Sequence, residues 1–353
     1  METSGVKYIG SKASLIPYIV KCIDEQAPNV KVAIDAFTGT TRVAQALKQK
    51  GIVVTTSDLS WASDAYSYTW IGNEGSNQHL QGRINTLNAL EGKAGWLTNS
   101  YCDVVAEKDG VVRVWQPKNG RKADAIRDQI EKWELDGDIQ GWEAKTLTTS
   151  LIIALDKVDN TVGVQQAYLK QWCTRSHNDL KMELPKAVLG PKGKHIMGDC
   201  LTNAYEPADL AYLDPPYSSH SYATYYHIWD SVAAWDKPSL GLKTNRRLDR
   251  VSGSEHFDSS MSSEWNSKKS ALNAFDKLIQ RLPAQKVLIS YNNESLVPID
   301  KLLEIFKKYP SVTTTKIDYK RNIMCQIGNA AKEKTDDQKF NTENTEYLFM
   351  ITK

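Results

Sequence analysis

Four short apolar runs in this chain each end in an aspartate, at Asp35, Asp58, Asp199 and Asp214, and helical patterns fill most of the gaps between strands. An apolar run bounded by turn formers reads as a buried strand. Strands that alternate with helices pair in parallel, because a parallel neighbour is reached only through a crossover. Seven strands are predicted, near residues 30, 52, 194, 210, 286, 312 and 346, the last antiparallel to its predecessor across a charged loop at 330–344. The expected fold is therefore α/β, a mostly parallel sheet with helices on both faces. In such sheets, ligands bind at the carboxyl edge of the strands. Chance could place one or two acids along that edge. Four make a site the better reading.

The run Leu210 to Leu213 leads into Asp214-Pro215-Pro216-Tyr217. Prolines cannot donate to a sheet ladder, so the strand stops where they begin. Each fixes its own φ and keeps its predecessor out of the helical region. A stiff, extended segment results. The Asp214 carboxylate and the Pro215 carbonyl are two adjacent acceptors, suited to the two hydrogens of an exocyclic amine, and Tyr217 offers a face for a planar ring. The lone pair of a purine amine is delocalised into its ring. Acceptors on both hydrogens favour a pyramidal nitrogen with that pair freed, which suits methylation of an amino group on a base. Taken alone, the four residues fit a plain turn equally well.

A length of 353 residues allows one large domain with an insertion, and 41% hydrophobic with 24% charged residues is ordinary for a soluble globular chain. No apolar run approaches a membrane span, and the N-terminus lacks a signal-peptide core. With a net charge of +2, any nucleic-acid footprint must be local. The cysteines at 22, 102, 173, 200 and 325 have neither metal-ligand nor redox spacing, so reduced thiols in the cytoplasm are expected, and no metal.

In chain order, Gly10-Ser11-Lys12 precedes a helical pattern carrying Leu15, Ile16, Ile19, Val20 and Ile23 on one face. A glycine turn with lysines at a helix start can hold a carboxylate, or be an ordinary cap. The strand ending at Asp35 runs into Phe37-Thr38-Gly39-Thr40-Thr41 and a helix from Arg42. Strand, glycine turn and helix begin a nucleotide-binding βαβ unit, and Asp58, at the end of the next strand, is placed to accept from ribose hydroxyls. With a single glycine, the loop suits a nucleoside without phosphates, such as S-adenosylmethionine, better than a dinucleotide. Asp199 could accept from an adenine amine or cap a turn. Helices are predicted over 62–71, 80–90, 120–133, 142–156, 228–235, 271–282 and 298–308. The aromatic stretch from 218 to 227 and the basic run Lys243 to Arg250 fit either nucleic acid or a solvated loop.

Taken in order, these segments resemble the Dam-like, D12 class of adenine-specific DNA methyltransferases. The segment from Lys7 to Lys12 is similar to the family's N-terminal motif, and Asp35 to Thr40 to its cofactor loop, with Thr41 where many members carry a small residue, often Gly. Asp214 to Tyr217 resembles the catalytic motif. Ser290 to Glu294, Asn119 to Trp133, Ala154 to Trp172 and Tyr347 to Ile351 look like one branch of the class. The resemblance implies a seven-stranded methyltransferase sheet formed by residues 1–75 and 190–353, with a mainly helical target-recognition insertion at 76–189. It implies N6 methylation of a flipped-out adenine in a specific double-stranded DNA sequence by S-adenosylmethionine, with S-adenosylhomocysteine as product and no metal. Lys7, Tyr8, Gly10, Lys12, Asp35, Phe37, Gly39, Thr40, Asp58, Leu59, Asp199 and Cys200 would bind the cofactor. Asp214, Pro215, Pro216 and Tyr217 would be catalytic. Tyr217, Tyr222, Tyr225, Tyr291 and Asn292 would meet the target base, and Lys243, Arg246 and Arg247 the phosphates. Methylation of cytosine N4 and a silent DNA-binding subunit of the same fold stay open as alternatives. So does a cognate restriction endonuclease as partner, in a bacterial, archaeal or phage setting.

Overall fold

The computed structural model describes all residues except 107–109, 166–167, 219–221, 243–244, 252–253, 260–262 and 321–342. Its strands are β1 (Val32–Asp35), β2 (Val53–Asp58), β3 (Cys102–Ala106), β4 (Gly110–Arg113), β5 (Lys194–Met197), β6 (Ala208–Leu213), β7 (Ala284–Asn292), β8 (Ser311–Lys320) and β9 (Glu343–Thr352). Its helices are α1 (Ile16–Gln26), α2 (Arg42–Gln49), α3 (Trp61–Trp70), α4 (Gln81–Ala89), α5 (Trp96–Tyr101), α6 (Pro117–Leu135), α7 (Gly141–Lys157), α8 (Tyr222–Tyr225), α9 (His227–Ala234), α10 (Lys268–Arg281) and α11 (Ile299–Phe306). All seven predicted strands form one sheet, in the order β5-β2-β1-β6-β7-β9-β8. The pairs from β5 to β7 are parallel, and β9 runs antiparallel to both β7 and β8. The charged loop expected at 330–344 falls mostly outside the described residues.

The order reverses beside β1, which lies between β2 and β6. Loops leaving β1 and β6 at their carboxyl ends therefore depart toward opposite faces, and a crevice opens between them. The register sets its floor: Asp35 stands level with Thr56 on one side and Tyr212 on the other.

The two faces of the sheet carry separate cores. One holds Ile34, Ala211, Ile289, Phe349 and the apolar sides of α10 and α11. The other holds Ala33, Val54, Leu210, Leu288 and Leu348, and continues without a break into Trp70, Trp115, Ile126, Leu151 and Leu155. Residues 76–189 therefore pack directly on that face, through α7 against α3. The chain enters β5 through two tight passages. A Cβ on Gly193 would lie 2.2 Å from the Val54 carbonyl oxygen, and one on Gly190 2.2 Å from that of Lys48. Only glycine fits against backbone at that distance.

The β3–β4 hairpin was not among the expected elements. Its cue is two β-branched runs, Val104-Val105 and Val111-Val112, separated by five residues that end in Asp109-Gly110. The four described cysteines are unpaired, and no described helix is long and apolar enough to cross a membrane.

One buried acid joins α5 to α6. Asp124 on α6 accepts from the backbone N–H groups of Gly95, Leu97 and Thr98, each at 2.9 Å, and from the Thr98 hydroxyl at 2.6 Å. These are the orphan donors of the first turn of α5. Asp124→Ala strands all of them in a dry interior, so it should cost about 3 kcal/mol. Urea unfolding checks this; a midpoint matching the wild type would show that α5 does not depend on the carboxylate.

Candidate active site

Asp35, Asp58, Asp199 and Asp214, the four expected strand-end acids, line one cleft at the carboxyl edge of the sheet. Tyr8, Gly10, Lys12, Phe37, Gly39, Thr40, Leu59 and Cys200 line it too, as do Pro215, Pro216, Tyr217 and Tyr222.

The β1 loop is tied to β2. Thr38 N–H donates to the Ser57 carbonyl at 3.1 Å, and Gly39 N–H to Asp58 Oδ2 at 2.8 Å. The other oxygen of Asp58 accepts from Ser60 N–H at 3.0 Å. Thr41 adopts φ +59°, the left-handed region that favours glycine. That explains why a small residue suits this position, and the threonine strain is met by burial and by a 3.0 Å hydrogen bond from Gln45 Nε2 to its hydroxyl.

Burial dominates the electrostatics. It pushes the Asp35 carboxyl up to about 7, against the Thr38 hydroxyl that donates to Oδ2 at 3.0 Å, while Asp214 and Asp58 add repulsion. Asp35 Oδ1 is buried with no hydrogen-bond partner. Burial likewise pushes Asp58 to about 6, with the Gly39 and Ser60 N–H groups pulling it down. Asp199 Oδ1 caps its own turn by accepting from Leu201 N–H at 2.9 Å. Phe37 meets Trp265 edge-on at 4.9 Å, and Trp265 also lines the cleft.

Asp214 follows β6. Burial raises its carboxyl to about 6, Lys12 pulls it down, and Glu346 pushes it up. The Lys12 ammonium lies 2.9 Å from Asp214 Oδ1 and 3.3 Å from Glu346 Oε1, and 4.3 Å from the centre of the Tyr217 ring. The Tyr217 hydroxyl lies 2.6 Å from Asp214 Oδ1 and 2.9 Å from Glu346 Oε1. Tyr291 braces that ring edge-on at 5.6 Å.

Several expected residues sit elsewhere. Lys7 does not line the cleft: its ammonium donates to the Asp156 carbonyl and to Asp159 Oδ1, both at 2.8 Å, tying the N-terminal segment to the carboxyl end of α7. Tyr291 is buried, and its hydroxyl accepts from Val297 N–H at 3.0 Å, so it supports Tyr217 instead of facing a ligand. Asn292 Oδ1 caps a turn by accepting from Glu294 N–H and the Ser295 hydroxyl. Tyr225 packs edge-on against Tyr222, outside the cleft lining. Arg247 is buried between Asp236 and Asp249, with both carboxylates within 3.0 Å of its guanidinium. A side chain so enclosed cannot reach a phosphate without breaking both pairs, which corrects the expectation from the basic run. Arg246 is half-buried, and Lys243 lies outside the described residues.

Glu346, Asp230 and Trp265 were not expected. Asp230 accepts from the Ser60 hydroxyl at 2.6 Å and Ala62 N–H at 3.1 Å, fastening α9 to the start of α3 at the cleft wall. Glu346 had a legible cue: it shares the period-two face of Leu348 and Met350, an acid in an apolar row.

Comparisons with known proteins point to one family. The family model for the D12 class N6 adenine-specific DNA methyltransferase matches residues 8–297. The modification methylase StsI of Streptococcus sanguinis is 30% identical over 343 residues, 93% of this chain and 50% of that protein. The type II methyltransferase M.NlaIII of Neisseria lactamica is 27% identical over 358 residues, 99% of each. The type II methyltransferase M.FokI of Planomicrobium okeanokoites is 26% identical over 366 residues, 99% of this chain and 53% of that protein. The chain thus spans about half the length of the StsI and FokI proteins and nearly all of the NlaIII protein.

The Asp35 carboxyl gives a test of the cleft's dryness. With its folded value near 7 against about 3.9 in an unfolded chain, the native state holds the proton more tightly. The stabilisation is full below about pH 4 and is lost as pH rises through about 7. Asparagine has no proton to lose. The melting temperature of Asp35→Asn, relative to wild type, should therefore rise between pH 5 and pH 8; a difference that stays flat would place this carboxylate in water.

Proposed function

The chain belongs to the D12 class N6 adenine-specific DNA methyltransferase family, and on that premise we propose that it methylates N6 of adenine in a specific double-stranded DNA sequence. The observation that carries this reading is the shared cleft: the Asp214–Tyr217 segment lies in one cavity with Asp35, Asp58 and Asp199.

The residues present fit S-adenosylmethionine. The unpartnered Asp35 oxygen suits a cationic amino group, Asp58 suits ribose hydroxyls, and Asp199 beside Cys200 suits an adenine amine between Phe37 and Trp265. Tyr8, Gly10, Gly39 and Thr40 complete that wall. When bound, the cofactor supplies an electrophilic methyl group on a sulfonium and leaves as S-adenosylhomocysteine.

The protein's own part is positioning and charge. The target atom is inaccessible in a stacked duplex, so the adenine is flipped into the cleft. The Tyr217 ring stacks on it and Tyr222 borders it. Asp214 and the Pro215 carbonyl accept the two N6 hydrogens, freeing the nitrogen lone pair. With the cofactor bound, that nitrogen would take its methyl group as the carbon–sulfur bond breaks, and the surplus N6 proton would pass to water. Pro216 keeps the segment rigid.

Residues 76–189 are assigned to target recognition and residues 1–75 with 190–353 to catalysis. Arg246 contacts a phosphate, a contribution that weakens with salt. The relatives named as modification methylases support a restriction–modification role with a cognate endonuclease, in the cytoplasm where the DNA is.

Mapping of methylated bases in mixed-sequence DNA incubated with the protein and S-adenosylmethionine tests the whole reading. N6-methyladenine in one sequence context is expected, whereas N4-methylcytosine or no product would overturn it. Asp214→Ala should lower methyl transfer at least about 10²–10³-fold while cofactor affinity stays near wild type. Asp58→Ala should weaken cofactor binding about 10-fold or more through lost charge-assisted hydrogen bonds; an unaltered dissociation constant in calorimetry would remove Asp58 from the ribose.

A further inference from the structure

We propose that Glu346 is a positioning residue for methyl transfer: with Lys12 it forms a carboxylate–ammonium–carboxylate bridge that fixes the Asp214 carboxylate and the Tyr217 ring. The inference rests on the base-methylation reading above. Glu346 lies beyond residues 8–297, the span that the family model matches.

The geometry is specific. Glu346 is fully buried on β9, two strands from the Asp214 loop, and crosses the sheet end to reach it. Its Oε1 accepts from the Ser290 hydroxyl, and lies 2.9 Å from the Tyr217 hydroxyl and 3.3 Å from the Lys12 ammonium. Its Oε2 is buried with no hydrogen-bond partner. A carboxylate held in a dry interior with one bare oxygen costs the fold stability. Such a group is poorly explained as packing, because a leucine would continue the apolar row of Leu348 and Met350.

Two consequences follow for Asp214. Tyr217 has one hydroxyl proton and two carboxylate oxygens within reach, so Glu346 competes with Asp214 for it and holds the ring between them. Lys12 is also shared, so it cannot neutralise Asp214 alone, and Asp214 keeps acceptor strength toward an amine. The titratable or charged groups facing Asp214 are Lys12, Tyr217, Glu346, Tyr212, Asp35 and Tyr222. Among them Lys12 pulls the Asp214 carboxyl down and Glu346 pushes it up.

Substitution therefore has a signed outcome. Glu346→Gln in the full chain should lower kcat about 100-fold, the cost of displacing a reacting group, with the S-adenosylmethionine dissociation constant unchanged. The acid limb of kcat/KM reports the free enzyme. It should move to lower pH in Glu346→Gln, which removes the repulsion, and to higher pH in Lys12→Met, which removes the attraction. A wild-type kcat and an unmoved acid limb in Glu346→Gln would overturn the proposal. Should that variant fail to fold, Glu346→Asp keeps the charge but withdraws it by one methylene, and wild-type kcat there would overturn the proposal equally. The wild-type assay separates the two levels. No transfer by the wild type sinks the methyltransferase reading, whereas transfer by wild type and variants alike sinks only the role of Glu346.

Discussion

The cleft is organised by the cost of removing carboxylates from water. Asp35 is buried and Asp58 and Asp214 are half-buried, and in each the loss of water outweighs the favourable contacts and raises the carboxyl. The fold tolerates this by offering donors where it can. Gly39 and Ser60 N–H groups meet Asp58, the Thr38 hydroxyl meets Asp35, and one ammonium, Lys12, meets Asp214. The glycine turn, the left-handed Thr41 and the N-terminal segment serve the same end: bringing a backbone or side-chain donor to an acid at a strand end.

That requirement explains how distant segments are joined. Lys12 precedes α1, yet it must reach the ends of β6 and β9. Its approach is fixed by Tyr8 stacked on Tyr226 at 4.2 Å and by Ile9 N–H donating to the Tyr226 hydroxyl at 2.5 Å. Lys7 anchors the same segment to the end of α7. The N-terminal segment is thus clamped between the insertion and the region after Tyr217. The core beneath α6 and α7 is continuous with that of the sheet face, and Tyr8 packs against it.

The sheet was legible because its strands are short apolar runs closed by turn formers, a pattern set locally. The strand-end acids were legible for the same reason: Asp35, Asp58 and Asp214 occupy fixed positions relative to runs that could be seen. What stayed hidden depends on partners distant in sequence. Arg247 reads as part of a basic run, and only the folded chain shows Asp236 and Asp249 closing on it. Tyr291 reads as a base-facing aromatic, yet Phe275 and Val297 enclose it. Lys7 and Lys12 are five residues apart in one motif and serve opposite ends of the segment. Glu346 and the β3–β4 hairpin are a different case, because the alternation and the Asp-Gly pair were present in the sequence.

The same electrostatics bears on ligand preference. The cleft lining carries five acids, Asp35, Asp58, Asp199, Asp214 and Asp230, against three bases, Lys12, Arg42 and Arg250, and Asp35 Oδ1 is unpartnered, so with its carboxyls ionised the cleft has a net negative potential. Low dielectric strengthens that potential against any charge that enters. Between two ligands of nearly the same shape, one a cation at the reacting centre and the other neutral there, such a cleft binds the cation more tightly. On the proposed reading the sulfonium is the cation and the thioether the neutral congener. Methyl transfer then removes the charge that the acids favour, so the cost of burying them promotes exchange of product for fresh cofactor.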